Sequence, residues 1–262
     1  MKIGCNWSLA LADLIVNNKV NIDYIKTGLY GDNENQIERM RQFKPILLHG
    51  LGYFERSGMV DVGIVDFQKA NKLLAYCDCP HYGLHLGITN DDIQSSMCDN
   101  DIHTHMSRQI QIFKKSLSVP LLLENVPDCP NDRRIFNHYP YVEPEKINKL
   151  LHDNDVGLLL DLTHAKITCQ YRNWDIYDYL QSLSLDHIKE IHVNGSGYDE
   201  DGYPDDPHLA MSDEDYELLE WILGLAKPEI ITLEYIGVKL ESQETVIENL
   251  FYQLNKLNRI CR

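Results

Sequence analysis

Eight times along the chain a short, apolar, β-rich run is followed by a stretch with helical spacing, and this alternation limits the fold more than any other feature. The strand candidates are Lys2–Asn6, Tyr24–Leu29, Pro45–Leu51, Tyr82–Leu86, Pro120–Val126, Val156–Leu162, Ile188–Val193 and Ile230–Ile236. Several are continuous apolar runs, as strands covered on both faces are. Helical stripes lie between them: Phe67, Ala70, Leu74 and Cys77; Met106, Ile110 and Phe113; Ile147, Leu150 and Leu151 behind Pro144; Val246, Leu250, Leu254 and Leu257. Ser212 reads as the cap of a helix that buries Tyr216, Leu219, Ile222 and Leu223. The pattern predicts a single (β/α)8 TIM barrel over residues 1–262. A doubly wound sheet is the runner-up, and no Gly-x-Gly-x-x-Gly follows the first strand to support a dinucleotide site.

With 262 residues, 44% of them apolar, the chain can bury a large core without disulfides. No apolar run approaches the ~18 residues of a membrane span. The start of the sequence runs straight into a strand pattern, so a cytoplasmic location is expected. The net charge of -16 argues against nucleic acid as a partner. The seven cysteines contain no Cys-x-x-Cys and read as reduced thiols. Cys5 and Cys169 lie near strand ends and are the ones considered for reactivity.

A barrel of this kind gathers its functional residues at the C-terminal ends of its strands. Strand three ends in His49, strand four in His85, strand five in Glu124 and strand six in Asp161, with His164 just beyond. Strand seven ends in His192 and strand eight in Glu234, and the loop after strand seven adds Asp206 and His208. Any one of these residues alone reads more readily as a satisfied core group or a cap. Together, six consecutive strands deliver imidazoles and carboxylates to the same end of one barrel, where crowding them unpaired is costly. Divalent cations relieve that cost. Nitrogen and oxygen donors without cysteine suit zinc, iron or manganese. Nine donors exceed the roughly four that one zinc takes. Two or three ions are therefore expected, with Glu124 or Glu234 bridging a pair roughly 3.5–4 Å apart.

The order His49, His85, Glu124, Asp161-x-x-His164, His192, Asp206-x-His208, Glu234 resembles the xylose isomerase-like TIM barrels, endonuclease IV above all. The text around the donors is more similar to the multinuclear non-haem iron-dependent oxidative enzymes, the MNIO family. The stretches that carry this likeness are Leu48-His49-Gly50-Leu51-Gly52, Leu121-Leu122-Leu123-Glu124-Asn125, Ile191-His192-Val193-Asn194-Gly195 and Asp201-Gly202-Tyr203 through Asp206-Pro207-His208. The MNIO resemblance implies two or three iron ions and oxidation of a cysteine in a ribosomal peptide or of a small thiol, often with a partner protein that presents the substrate. The spelling Asp161-x-x-His164 is the endonuclease's, which keeps a zinc phosphodiesterase open. A sugar isomerase or epimerase using manganese or a similar ion on Glu124, Asp161, His192 and Glu234 is also open, as is a metal-binding protein without catalysis. Acidic loops at Asp91-Asp92, Asp99–Asp101, Asp199–Asp201 and Asp205 weigh against a nucleic-acid substrate. The segments Thr89–Asp101 and Pro127–Tyr141 are long enough to serve as lids. Arg133 and Arg134 read either as contacts for a substrate carboxylate or as solvated surface residues.

Overall fold

The computed structural model describes all residues except 29–33, 51–61, 90–92, 94–95, 136–137 and 238–240. The ends of two expected strands, Leu29 and Leu51, and the acidic pair Asp91-Asp92 lie outside the described residues.

Twelve strands are present among the described residues: β1 (Lys2–Asn6), β2 (Tyr24–Gly28), β3 (Ile46–His49), β4 (Tyr82–His85), β5 (Gly87–Thr89), β6 (Leu121–Glu124), β7 (His138–Pro140), β8 (Gly157–Asp161), β9 (Ile188–Val193), β10 (Gly195–Tyr198), β11 (Pro204–Leu209) and β12 (Ile230–Leu233). Eight of them, β1, β2, β3, β4, β6, β8, β9 and β12, close into a parallel barrel, each hydrogen-bonded to its neighbours in sequence order and β12 to β1. Closure into a ring excludes the doubly wound sheet. All eight expected strand positions are barrel strands.

The helices follow the stripes that announce them. Phe67–Tyr76 buries Ala70 and Leu74, Asp99–Ser116 buries Met106, Ile110 and Phe113, and Pro144–Asn154 starts on its proline. Ser212 accepts the Asp215 amide at the head of Asp213–Leu223, and Asp215 returns the bond to the Ser212 amide, a capping box. These helices pack their apolar faces on the outside of the barrel, where most of the core lies. Asp99 and Asp101 prove to be in the first turn of a helix, where carboxylates complement the helix dipole, so they are not a loop.

Inside the barrel, Tyr24, Leu47 and Ile230 form a small apolar cluster of their own near the N-terminal ends of β2, β3 and β12. Two residues further along β2, β3 and β12 the inward positions become Lys26, His49 and, by way of Thr232, Glu234. The period of two in a strand thus converts an apolar floor into a polar rim. The register sets the rim residues side by side: His85 beside Glu124, and Asp161 beside His192.

The two segments expected as lids are joined. β5, in the loop after β4, pairs antiparallel with β7, in the loop after β6, with Ile88 opposite Tyr139. A second small sheet, β10–β11, rises from the end of β9 and carries Asp206 and His208. Strand four therefore ends at His85 and a new strand begins at Gly87. No helix among the described residues is long and apolar enough to cross a membrane.

Candidate metal centre

All nine expected donors lie at one end of the barrel, and contacts of 3.9 Å or less link them into one network. Glu124 sits at its middle, almost fully buried. Its Oε2 meets His49 Nε2 and lies 3.4 Å from His85 Nε2. Its Oε1 lies 3.1 Å from His192 Nδ1. Asp161 Oδ2 and Glu234 Oε2 are 3.8 and 3.6 Å from the same His192 nitrogen. Two donor sets result, each with its ligand atoms within 4.8 Å of one another: His49, His85 and Glu124; and Glu124, Asp161, His192 and Glu234. Glu124 belongs to both. Beside them, Asp206 Oδ2 stands 3.2 Å from His164 Nε2 and 3.3 Å from His208 Nε2. His208 is the most exposed donor and holds a left-handed backbone, φ 52°.

Local structure aims these groups. Asp161 ends β8 and caps the helix Leu162–Arg172, its Oδ1 accepting the His164 amide at 2.7 Å. The spacing Asp-x-x-His is therefore also the spacing from an N-cap to the third helical residue. The cap uses one carboxylate oxygen and turns the other into the cluster. Asn125 holds both residues: its side chain bonds the Asp161 amide and carbonyl, and its carbonyl faces His164 Nδ1 at 2.8 Å. His164 is thereby left with Nε2 for the centre. Asn194 donates to Asp206 Oδ1 at 2.6 Å. Such surroundings fix the rotamer and tautomer of a metal-binding group.

Two buried charges escaped sequence reasoning. Lys26, on β2, bonds Glu234 Oε1 and lies 3.2 Å from His192 Nδ1. Glu190, on β9, lies 3.3 Å from His192 Nε2 and also holds His81 Nε2 and Thr232 Oγ1, each at 2.5 Å. His192 turns Nε2 toward Glu190 and presents Nδ1 to the centre.

The electrostatics divide the histidines. Burial drives His85 down to about 3 and lowers His49, so both are neutral with a lone pair to offer. Burial and Lys26 oppose the charge on His192, but Glu234 and Glu124 outweigh them and raise it to about 10. His208, opposed by burial and supported chiefly by Asp206, reaches about 9. Burial, reinforced by Asp206, Glu124 and Glu234 against His164, raises Asp161 to about 6. The acids are thus balanced by protons on imidazoles, which incoming metal ions would displace. Among the described residues, His49 Nε2, Glu124 Oε2 and Asp161 Oδ2 are buried without a well-formed hydrogen bond, the first two in contact with each other. Orphaned atoms of this kind, all nitrogen or carboxylate oxygen and all converging, fit metal ions.

Other candidates fare differently. Arg133 is engaged with buried Asp128, both Nε and Nη2 lying 2.7 Å from Oδ1, and Arg172 binds the other oxygen. Arg133 is thus tied to Asp128 through two of its nitrogens, with its side chain partly exposed; the Arg134 side chain lies outside the described residues. Cys5 and Cys169 are buried, and burial pushes both thiols up, Cys169 to about 12. Neither is poised to react.

Over residues 3–250 the chain matches the MbnB/TglH/ChrH family of RiPP precursor modification enzymes. The chain belongs to this family. A UPF0276 protein of Acaryochloris marina is 27% identical over 184 residues, 65% of this chain and 64% of its own length. The match thus spans less than two thirds of that relative. Among solved structures, a xylose isomerase domain protein from Alicyclobacillus acidocaldarius superposes with a TM-score of 0.63 at 15% identity, over 99% of each chain. An AP endonuclease, family 2, from Brucella melitensis does so at 0.64 and 11%, over 98% of each. At these identities the likeness is one of fold. MbnB/TglH/ChrH membership agrees with the second of the two resemblances carried by the motifs, and the shared barrel fold is the one the first implies.

Proposed function

We propose that the protein is a multinuclear iron enzyme that uses O2 to oxidise a cysteine or other thiol of a peptide substrate. The observation that carries this reading is the position of Glu124, one oxygen toward His49 and His85 and the other toward His192. A carboxylate so placed suits a bridge between two ions. In this reading His49, His85, Glu124, Asp161, His192 and Glu234 would hold one pair, and His164, Asp206 and His208 would bind a third ion or complete the second site. Bound iron would supply the redox chemistry and a seat for a thiolate, which loses its proton on coordination. The chain contributes the rest. Asn125, Asn194 and Glu190 lock the ligand orientations, and His208, half-exposed, marks the side from which a substrate arrives. A partner protein that presents the peptide is part of the proposal.

One observation favours a second reading. Glu124, Asp161, His192 and Glu234 form a compact set without help, as a sugar isomerase or epimerase with one manganese ion would need. His49 and His85 speak against it, because both face Glu124 and are not turned away. The zinc phosphodiesterase reading has the donors but meets a net charge of -16.

One preparation decides. Protein purified without oxygen should contain at least two irons per chain and consume O2 when given thiol peptides. Zinc-loaded protein should leave an abasic DNA duplex intact. Efficient nicking of that duplex, lost in His192→Ala, would install the phosphodiesterase, and a single tightly bound manganese with activity on a ketose would install the isomerase.

A further inference from the structure

Lys26 is an unusual residue to find inside a cluster of metal donors. It is 6% exposed, on the inward face of β2. Its Nζ bonds Glu234 Oε1 and lies 3.2 Å from His192 Nδ1. His192 turns Nε2 toward Glu190, 3.3 Å away, and Nδ1 toward Glu124, Asp161 and Glu234, so Nδ1 is the atom this histidine presents to an ion. The ammonium therefore stands on two of the four residues in the set Glu124, Asp161, His192 and Glu234. It puts a positive charge beside the carboxylate oxygen and the imidazole nitrogen nearest to where an ion would sit. Buried carboxylates this close repel one another strongly unless a cation stands among them.

We propose that Lys26 is a placeholder cation: it holds the Glu124, Asp161, His192 and Glu234 set together before metal arrives, and it leaves His192 Nδ1 when the ion binds. The inference rests on the reading of this cluster as a metal centre. It goes beyond that reading in making loading an exchange of one cation for another. Lys26 keeps the acids from flying apart during folding, and it sets a threshold that weakly bound ions do not pass. Because Nζ bonds Glu234 through Oε1, it can withdraw from the histidine while keeping that carboxylate, leaving Oε2 for the metal. Glu234 would then offer one oxygen to an ion, while Glu124 would keep both of its own for the centre.

The test uses Co2+ as the probe, followed by visible absorption, with thermal unfolding of the metal-free protein as a second readout. Lys26→Met preserves length and removes the charge; Lys26→Gln keeps a donor and serves if the methionine variant fails to fold. The variant should unfold at lower temperature without metal, yet bind Co2+ roughly tenfold more tightly or better, since the competing charge is gone. A lysine with a merely structural role would lower stability and affinity together, so unchanged or weaker Co2+ binding overturns the proposal. A metal-loaded crystal structure with Nζ still 3.2 Å from His192 Nδ1 overturns it as well. If the wild-type protein takes up no metal at all, the reading of the centre falls first, and that outcome is distinct from wild type and variant binding alike.

Discussion

Asp161 shows how one side chain serves two structures. Its Oδ1 caps a helix and its Oδ2 faces the donor cluster. The two duties separate by substitution. Asp161→Asn keeps a capping oxygen and should leave thermal stability near that of the wild type while lowering metal content. Asp161→Ala should lose metal and in addition about 1 kcal/mol of stability from the missing cap, read by denaturant unfolding. Equal stability of the two variants would show that the cap contributes nothing. The cysteines give a second expectation at this scale. Only Cys98 is exposed among seven, so the folded protein should show about one fast thiol with a colorimetric disulfide reagent and the remainder only after denaturation. Seven of the nine candidate donors stand out in the sequence because each ends an apolar run or follows one closely, while Asp206 and His208 stand out only by their Asp-x-His spacing in the loop beyond. Lys26 and Glu190 do not. Tyr24-Ile25-Lys26-Thr27 reads as ordinary alternation with the lysine in water, and Lys189-Glu190 puts two charges on opposite faces with nothing local to say which turns inward. In the fold, Lys189 is exposed and Glu190 is buried.

At the scale of elements, the seam between β3 and β4 carries the most consequence. Among the described residues the two strands share one register pair, His49 with Gly83, where the seams on either side have four each. A β-carbon at Gly83 would come within 2.6 Å of His49 Cδ2 and 3.0 Å of Leu159 Cδ1. The glycine thus makes the space in which the His49 ring reaches Glu124. Gly83→Ala should push that ring aside and cost about one bound ion per chain, while the set of Glu124, Asp161, His192 and Glu234 keeps its own. Metal analysis by mass spectrometry checks this, and full occupancy in the variant would show that His49 is no ligand. Strand positions and the longer helices could be read from periodicity alone. The helix Leu162–Arg172 could not, because it starts directly after the last residue of β8 and Leu162 reads as the end of the apolar run Val156–Leu162. The β5–β7 pairing was equally hidden, since three-residue strands leave no periodic trace.

For the whole molecule, the balance of charge in the centre predicts how stability follows pH. Without metal, His208 and His192 hold their protons to about 9 and about 10, whereas an unfolded histidine gives its proton up near 6.5. The native state therefore binds more protons than the unfolded chain across this interval, and stability declines as pH rises through it. Metal-free protein should melt at progressively lower temperature from pH 7 to 10. Metal-loaded protein should decline less, because a coordinated imidazole has no such proton to lose. Parallel decline of the two forms would mean that the protonated histidines are not the groups metal displaces.

The β5–β7 sheet ties the loop after β4 to the loop after β6, with Gly87 opposite Pro140 and Thr89 opposite His138. Two of the segments that frame the mouth are therefore spliced to each other by backbone bonds that ignore side-chain identity. An insertion in either one shifts the register of both. A change that moves one segment therefore moves the other, and an engineer exchanging one of them for a relative's must carry both across together.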